Sequence, residues 1–273
     1  MKPVTAAADV LQSIARVKST GRGFGTNFFM PESAVAEAVS AGELFQLEGD
    51  GAVALVRRQE SFDRVYYAAS SPKAAAAVLS RLSPSPASLV ADVVGREADT
   101  APWIAACEQA GFSVYTRFHR MSCSAPAVSP ETPPPPGEAI HVATPAEAPE
   151  LRQAIAAHFD PYAERIPSLD EVHRAAAAGS ILVYREQSEL AALLYFETQG
   201  VTTHLRYWLG LPAFRGRGYA HALMIHYLAS AVPAARRFIL WVEESNRRAI
   251  PLYQRYGYAR DGMSNAVLRK LVS

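Results

Sequence analysis

Six consecutive residues, Arg215-Gly216-Arg217-Gly218-Tyr219-Ala220, stand between two contrasting stretches. The apolar run before them (Leu205, Tyr207, Trp208, Leu209) reads as a strand, and the run after them reads as a helix. A strand, a glycine-bearing turn and a helix N-terminus together make an anion site. The first N–H groups of a helix have no acceptor within it, and the helix dipole adds partial positive charge at that end. Arg215 and Arg217 bring two full charges beside those groups, so a pyrophosphate is the fitting guest. Gly218 matters because a side chain there would hold the phosphates away from the backbone.

About thirty residues later the chain reads Ser245-Asn246-Arg247-Arg248-Ala249-Ile250-Pro251-Leu252-Tyr253-Gln254-Arg255-Tyr256-Gly257-Tyr258. In this order and separation the two segments resemble those of the GNAT superfamily of N-acetyltransferases. Arg215, Gly218 and Ala220 fill the fixed places of the family's acyl-CoA loop, Arg/Gln-x-x-Gly-x-Gly/Ala. Asn246, Ala249, Tyr253 and the Tyr256-Gly257-Tyr258 triplet match its second motif. The resemblance runs from about Ala139 to the C-terminus. It implies that the N–H groups of Arg217 to Ala220 hold the pyrophosphate, and that Trp208, Gly210 and Leu211 border the pantetheine arm. It further implies that Asn246 contacts CoA and that Tyr253 protonates the departing thiolate. A phenol with pKa near 10 carries the proton this step needs at neutral pH. Gly210 departs from the family, where a β-branched residue is more usual; only its backbone is required.

An amine must lose a proton before it attacks a thioester. His204, on the strand leading to the loop, stands where some family members carry a glutamate base, and its ordinary pKa near 6.5 suits the task. Glu243 and Glu244 are alternatives. His221 and His226, five apart on a helix, fall on different faces and form no zinc pair. Gly21-Arg22-Gly23-Phe24-Gly25 follows a helix-like segment rather than a strand and reads as a flexible turn. Cys107 and Cys123 lie in no nucleophile pattern, and two cysteines make neither a disulfide framework nor a metal cluster.

Apolar residues make up 49% of the 273, enough for a buried core, and the formal net charge of +1 argues against a chain-wide nucleic-acid surface. No signal-peptide core or membrane-spanning apolar run is present, so a reduced, cytoplasmic setting is expected. The resemblance implies an acyl-CoA-dependent N-acyltransferase. Acetyl-CoA is the donor, the acceptor is a primary amine on a small molecule or peptide, and neither a metal, a nucleic acid nor a membrane is needed. The same motifs also fit a non-catalytic acetyl-CoA-binding or partner-binding protein. Acyl preference and oligomeric state stay open.

The elements that must position these residues follow from periodicity and turn signals. Residues 124–138, with Pro133-Pro134-Pro135-Pro136, read as an extended linker between a 1–123 domain and a 139–273 domain. In the second domain Ile140–Ala143 reads as a strand. Thr144 with Glu147, and Ser168 with Glu171, read as capping boxes that open helices. Strands follow over 180–185, 189–198 and 202–210, then a helix from Arg217, a strand over 238–242 buried on both faces, the second-motif helix and a last strand near 265–271. This β-α-α-β-β-β-α-β-α-β order matches the GNAT fold, a mixed α/β sheet flanked by helices. The first domain echoes it, with strands over 51–58, 64–69 and 88–94 and helices over 72–82 and 102–110. Its helix after 64–69 begins Ser70-Ser71-Pro72-Lys73, without a glycine for phosphate approach. The chain therefore reads as two tandem GNAT-like domains, the N-terminal one degenerate.

Overall fold

The structure, a computed structural model, describes residues 1–20, 23–59, 61–83, 87–124, 126, 140–231 and 235–271. The proline-rich stretch expected to be a linker lies outside these residues apart from Ser124 and Pro126. In chain order the elements are β1 (Lys2–Pro3), α1 (Ala7–Ser19), β2 (Gly25–Thr26), α2 (Glu32–Ser40), β3 (Leu44–Gly49), β4 (Ala52–Arg57), β5 (Phe62–Ala69), α3 (Pro72–Leu79), β6 (Ser88–Arg96), α4 (Glu97–Gln109) and β7 (Ser113–Cys123). There follow β8 (Ile140–Val142), α5 (Ala148–His158), α6 (Leu169–Ala177), β9 (Ile181–Glu186), β10 (Glu189–Gln199), β11 (Thr202–Gly210), α7 (Tyr219–Ala231), β12 (Arg237–Glu243), α8 (Ala249–Arg255) and β13 (Ala259–Lys270). Among the described residues no helix is long and apolar enough to cross a membrane.

The chain forms two compact units, Met1–Phe118 with Gly262–Ser273, and His119–Asp261. Each takes a stretch of strand from the other half of the sequence. The last strand, expected to close the C-terminal sheet, instead pairs antiparallel with β6, Met263–Lys270 against Leu89–Arg96. Ala266 and Leu268 are thereby buried in the core of the first unit. Burial decides this placement, because an apolar strand is stable wherever its face is covered and its ladder completed.

In the first unit the sheet order is β1-β3-β4-β5-β6-β13. Its parallel pair, β5 and β6, is matched only over Phe62–Val65 and Ser88–Ala91. Beyond that point the strands part, and residues 25–27 plug the gap. Gly25 and Thr26 pair with Ala69 and Ala68. The Asn27 side chain accepts from the Tyr67 N–H at 2.6 Å and donates to the Val65 carbonyl at 3.0 Å. The Trp103 indole stacks on Tyr67 at 5.8 Å and fills the space a Cβ at Gly25 would need, 2.2 Å away. The segment expected to be a flexible turn thus ends in a short strand, and Gly25 is required by close packing.

In the second unit the order is β12-β11-β10-β9-β8. The Thr144–Glu147 and Ser168–Glu171 capping boxes both form, the first opening a 3₁₀ turn (Pro145–Glu147) that leads into α5. One face of the sheet packs on α5 and α6 through Leu151, Ile155 and Val172. The other packs on α7 through Leu223, Met224, Tyr227 and Leu228. β12, expected to be buried on both faces, buries Phe238, Leu240 and Val242 while Ile239 and Trp241 remain half-buried. β11 and β12 run parallel and pair only over Thr202–Leu205 and Arg237–Leu240. The fork beyond Leu205 has no counterpart to the plug of the first unit among the described residues.

Candidate active site

The bulge in β11 sets the site's geometry. Tyr195 faces Tyr207 and Phe196 faces Leu205, so Arg206 is an extra residue without a partner on β10. A one-residue insertion flips the side chains beyond it to the other face. Thr203, before the bulge, meets the Tyr227 hydroxyl of α7 at 3.1 Å. Trp208, after it, turns to that same helix and donates from Nε1 to the Ala220 carbonyl at 2.7 Å. Tyr207 turns the other way, edge-on to Phe159 at 5.0 Å.

After Gly210 the chain makes a 3₁₀ turn, Pro212–Phe214, and reaches Arg215-Gly216-Arg217-Gly218, all exposed. Gly216 and Gly218 have φ of +81° and +84°, a left-handed backbone that glycine adopts without strain. An added Cβ at either would meet nothing within 4 Å, so the loop faces open space. The first helical bond of α7 runs from the Ala222 N–H to the Gly218 carbonyl at 2.9 Å. The N–H groups of Tyr219, Ala220 and His221 therefore have no acceptor within the helix. The helix starts two residues later than Arg217 because Gly218 is not helical. Arg217 is not a free charge: its guanidinium pairs with Glu186 and lies over Phe214 at 5.5 Å. Glu186 also accepts from the Tyr219 hydroxyl at 2.5 Å, and Tyr219 stacks on Tyr184 at 4.1 Å. Gly210 allows a close approach, since a Cβ there would sit 3.4 Å from that of Ala220.

The second motif meets the first at Trp208. The Tyr253 ring lies 5.6 Å from the Trp208 ring, and buried Tyr256 stands edge-on to it at 6.1 Å. The Tyr256 hydroxyl bonds to His221 Nδ1, tying α8 to the first turn of α7. Asn246 Oδ1 accepts from the Ala249 N–H at 3.0 Å, a helix-start bond on an exposed residue. Burial, and then the charge of Glu164, push the Tyr253 hydroxyl above its ordinary range, so it holds its proton at neutral pH.

His204 lies on the opposite face of β11 from Thr203 and Leu205 and so away from the Trp208–Tyr253 pair. Burial and the nearby Arg206 and Arg120 lower its pKa to about 3. Glu164, Arg206 and Glu186 are site residues that sequence motifs do not mark. Burial raises the Glu164 pKa to about 7, with Arg206 opposing the rise and Glu243 and Asp160 reinforcing it. Glu164 lies between α5 and α6, where no motif or periodicity singles it out. Cys107 and Cys123 are inert: burial lifts their thiols to about 12 and about 11.

Residues 148–258 match the acetyltransferase (GNAT) family. The match takes in both the glycine turn and the second motif, over less than half of the chain. A GCN5-related N-acetyltransferase from Sphaerobacter thermophilus has a similar fold, with TM-score 0.58 at 17% identity, covering 99% of this chain and 95% of that one. A GCN5-related N-acetyltransferase from Kribbella flavida aligns with TM-score 0.56 at 16% identity over 97% and 93%. An acetyltransferase of the GNAT family from Colwellia psychrerythraea aligns with TM-score 0.57 at 12% identity over 99% and 98%. These likenesses are of fold and extend over the N-terminal half of the chain as well. No curated protein matches the sequence.

Proposed function

We propose that this protein transfers an acetyl group from acetyl-CoA to a primary amine of a small molecule or peptide, by direct attack of the amine on the thioester. In this reading the pyrophosphate lies on the N–H groups at Arg217 to Ala220, with Gly216 and Gly218 giving clearance and Arg215 adding charge. The pantetheine runs along the open edge of β11 past Trp208, Gly210 and Leu211, as a surrogate strand, and Asn246 borders the arm. Free backbone donors at the fork polarise the thioester carbonyl. Tyr253 gives its proton to the thiolate as the C–S bond breaks. The observation that carries the reading is the short β11–β12 pairing on the strand that leads into the Gly216/Gly218 turn and the unpaired N–H groups starting α7.

The first unit has the same parallel pair, but residues 25–27 use its free backbone groups and Trp103 fills the space beside Tyr67. One acetyl-CoA per chain is therefore expected. Calorimetric titration of the full chain with acetyl-CoA tests this. Micromolar binding at one site is expected, with at least a hundredfold loss in Gly218→Glu, whose carboxylate meets the phosphates and whose backbone is strained at positive φ. Unchanged affinity in the variant would remove the loop from the site, and a stoichiometry of two would contradict the plug.

A further inference from the structure

The segment between α5 and α6 is fastened over the bulge of β11. Phe159 packs edge-on against Tyr207, and the Tyr207 hydroxyl donates to the Arg165 carbonyl. Ile166 packs into the core beneath, and Pro167 is buried. The Glu164 N–H donates to the Asp160 carbonyl at 2.8 Å, closing a turn at Glu164. Groups on each surrounding element lie within electrostatic reach of the Glu164 carboxyl: Asp160 from its own turn, Arg206 and Tyr207 from β11, Glu243 from β12 and Tyr253 from α8. Tyr253 reaches the fork from the α7 face by way of Trp208, while the Glu164 segment covers the opposite face.

We propose that Glu164 is the general base of the reaction, taking the proton of the attacking amine directly or through one water. The inference rests on the acetyl-transfer reading. The carboxylate removes one proton from the ammonium. The freed lone pair forms the C–N bond at the thioester carbonyl carbon, and the C–S bond breaks. The thiolate takes the Tyr253 proton, and the phenolate regains one from the nitrogen as the amide forms. Glu164 then releases its proton to water. Partial burial beside two further carboxylates makes this group basic enough for the task at neutral pH, while the single arginine keeps it ionisable. His204 is placed worse, because Arg206 and Arg120 oppose the imidazolium that proton transfer would create.

The experiment is thiol release from acetyl-CoA by the full chain, with n-butylamine or with water alone as acceptor, followed over pH roughly 5 to 9. The wild-type rate is expected to rise with pH through about 7, as Glu164 ionises. Glu164→Gln should lower the plateau about 10²- to 10⁴-fold and abolish that limb, with acetyl-CoA affinity unchanged by calorimetry. Glu164→Asp should keep the limb and part of the rate, and it carries the test alone if the glutamine variant does not fold. A limb intact in Glu164→Gln with a rate within about threefold of wild type overturns the proposal, as does a limb that disappears in His204→Gln instead. Wild-type protein that neither binds acetyl-CoA nor releases thiol would sink the acetyl-transfer reading and this inference together. Binding and turnover that ignore Glu164 would sink the inference alone.

Discussion

Tyr253 and Glu164 differ in what their surroundings allow them to do. Burial keeps the phenol protonated, so Tyr253 can act only as a donor near neutral pH. The carboxyl of Glu164 is poised near 7 and can exchange a proton in either direction. A pair of titratable groups pushed toward opposite roles is what acid–base chemistry on one bond requires. Tyr253→Phe removes the donor and leaves the ring packed on Trp208. Its kcat should fall about 10- to 100-fold while acetyl-CoA affinity changes less than about threefold, as read by thiol release beside calorimetry. Equal losses in kcat and affinity would make Tyr253 a packing residue. The motif alone identifies Tyr253, because its spacing from Asn246 is a local property of one helix. It does not identify Glu164, whose neighbours come from β11, β12 and α8.

Among the elements, the start of the C-terminal unit is held by one carboxylate. Glu147 accepts from the Thr144 N–H at 2.7 Å, from Arg185 Nη2 at 2.7 Å and from His141 Nε2 at 3.2 Å. Burial opposes its charge, but these bonds prevail and bring its pKa down to about 2. Because the folded-state pKa lies below the ordinary value of 4.5, the stabilisation is complete above that value and fades as pH falls toward 2. Glu147→Gln should therefore cost about 1–3 kcal/mol at pH 7, with the gap from wild type closing as acid is added. Urea unfolding at a series of pH values measures it, and a gap independent of pH would mean the charge contributes nothing. The capping box behind this is legible from Thr144 and Glu147. The Arg185 partner is not, since it arrives from β9.

At the scale of the molecule, each compact unit is assembled from both halves of the sequence. The strand over Met263–Lys270 completes the first unit by pairing with β6, and Val267 and Leu268 are fully buried. A protease site engineered into the proline-rich stretch would divide the chain into fragments that share a sheet. The cleaved fragments should co-migrate in native size-exclusion chromatography and separate only in denaturant. Separation under native conditions would show that each fragment folds without the other's strand. Among the described residues, only the fork of the first unit is filled by a segment such as residues 25–27.

The amino-acid sequence determined what local interactions can determine. The glycine turn, the helix starts at Ser168 and near Tyr219 and the alternating strand Thr202–Gly210 depend on residues within a few positions of one another, so their identities and spacing suffice. Tertiary structure decided the rest. The Arg206 bulge turns Trp208 toward α7, residues 25–27 close the fork of the first unit, β13 joins that unit and burial raises the Glu164 pKa. Each of these arises from segments far apart in the chain competing for the same backbone donors, apolar faces or dielectric environment, and no local spacing records the outcome.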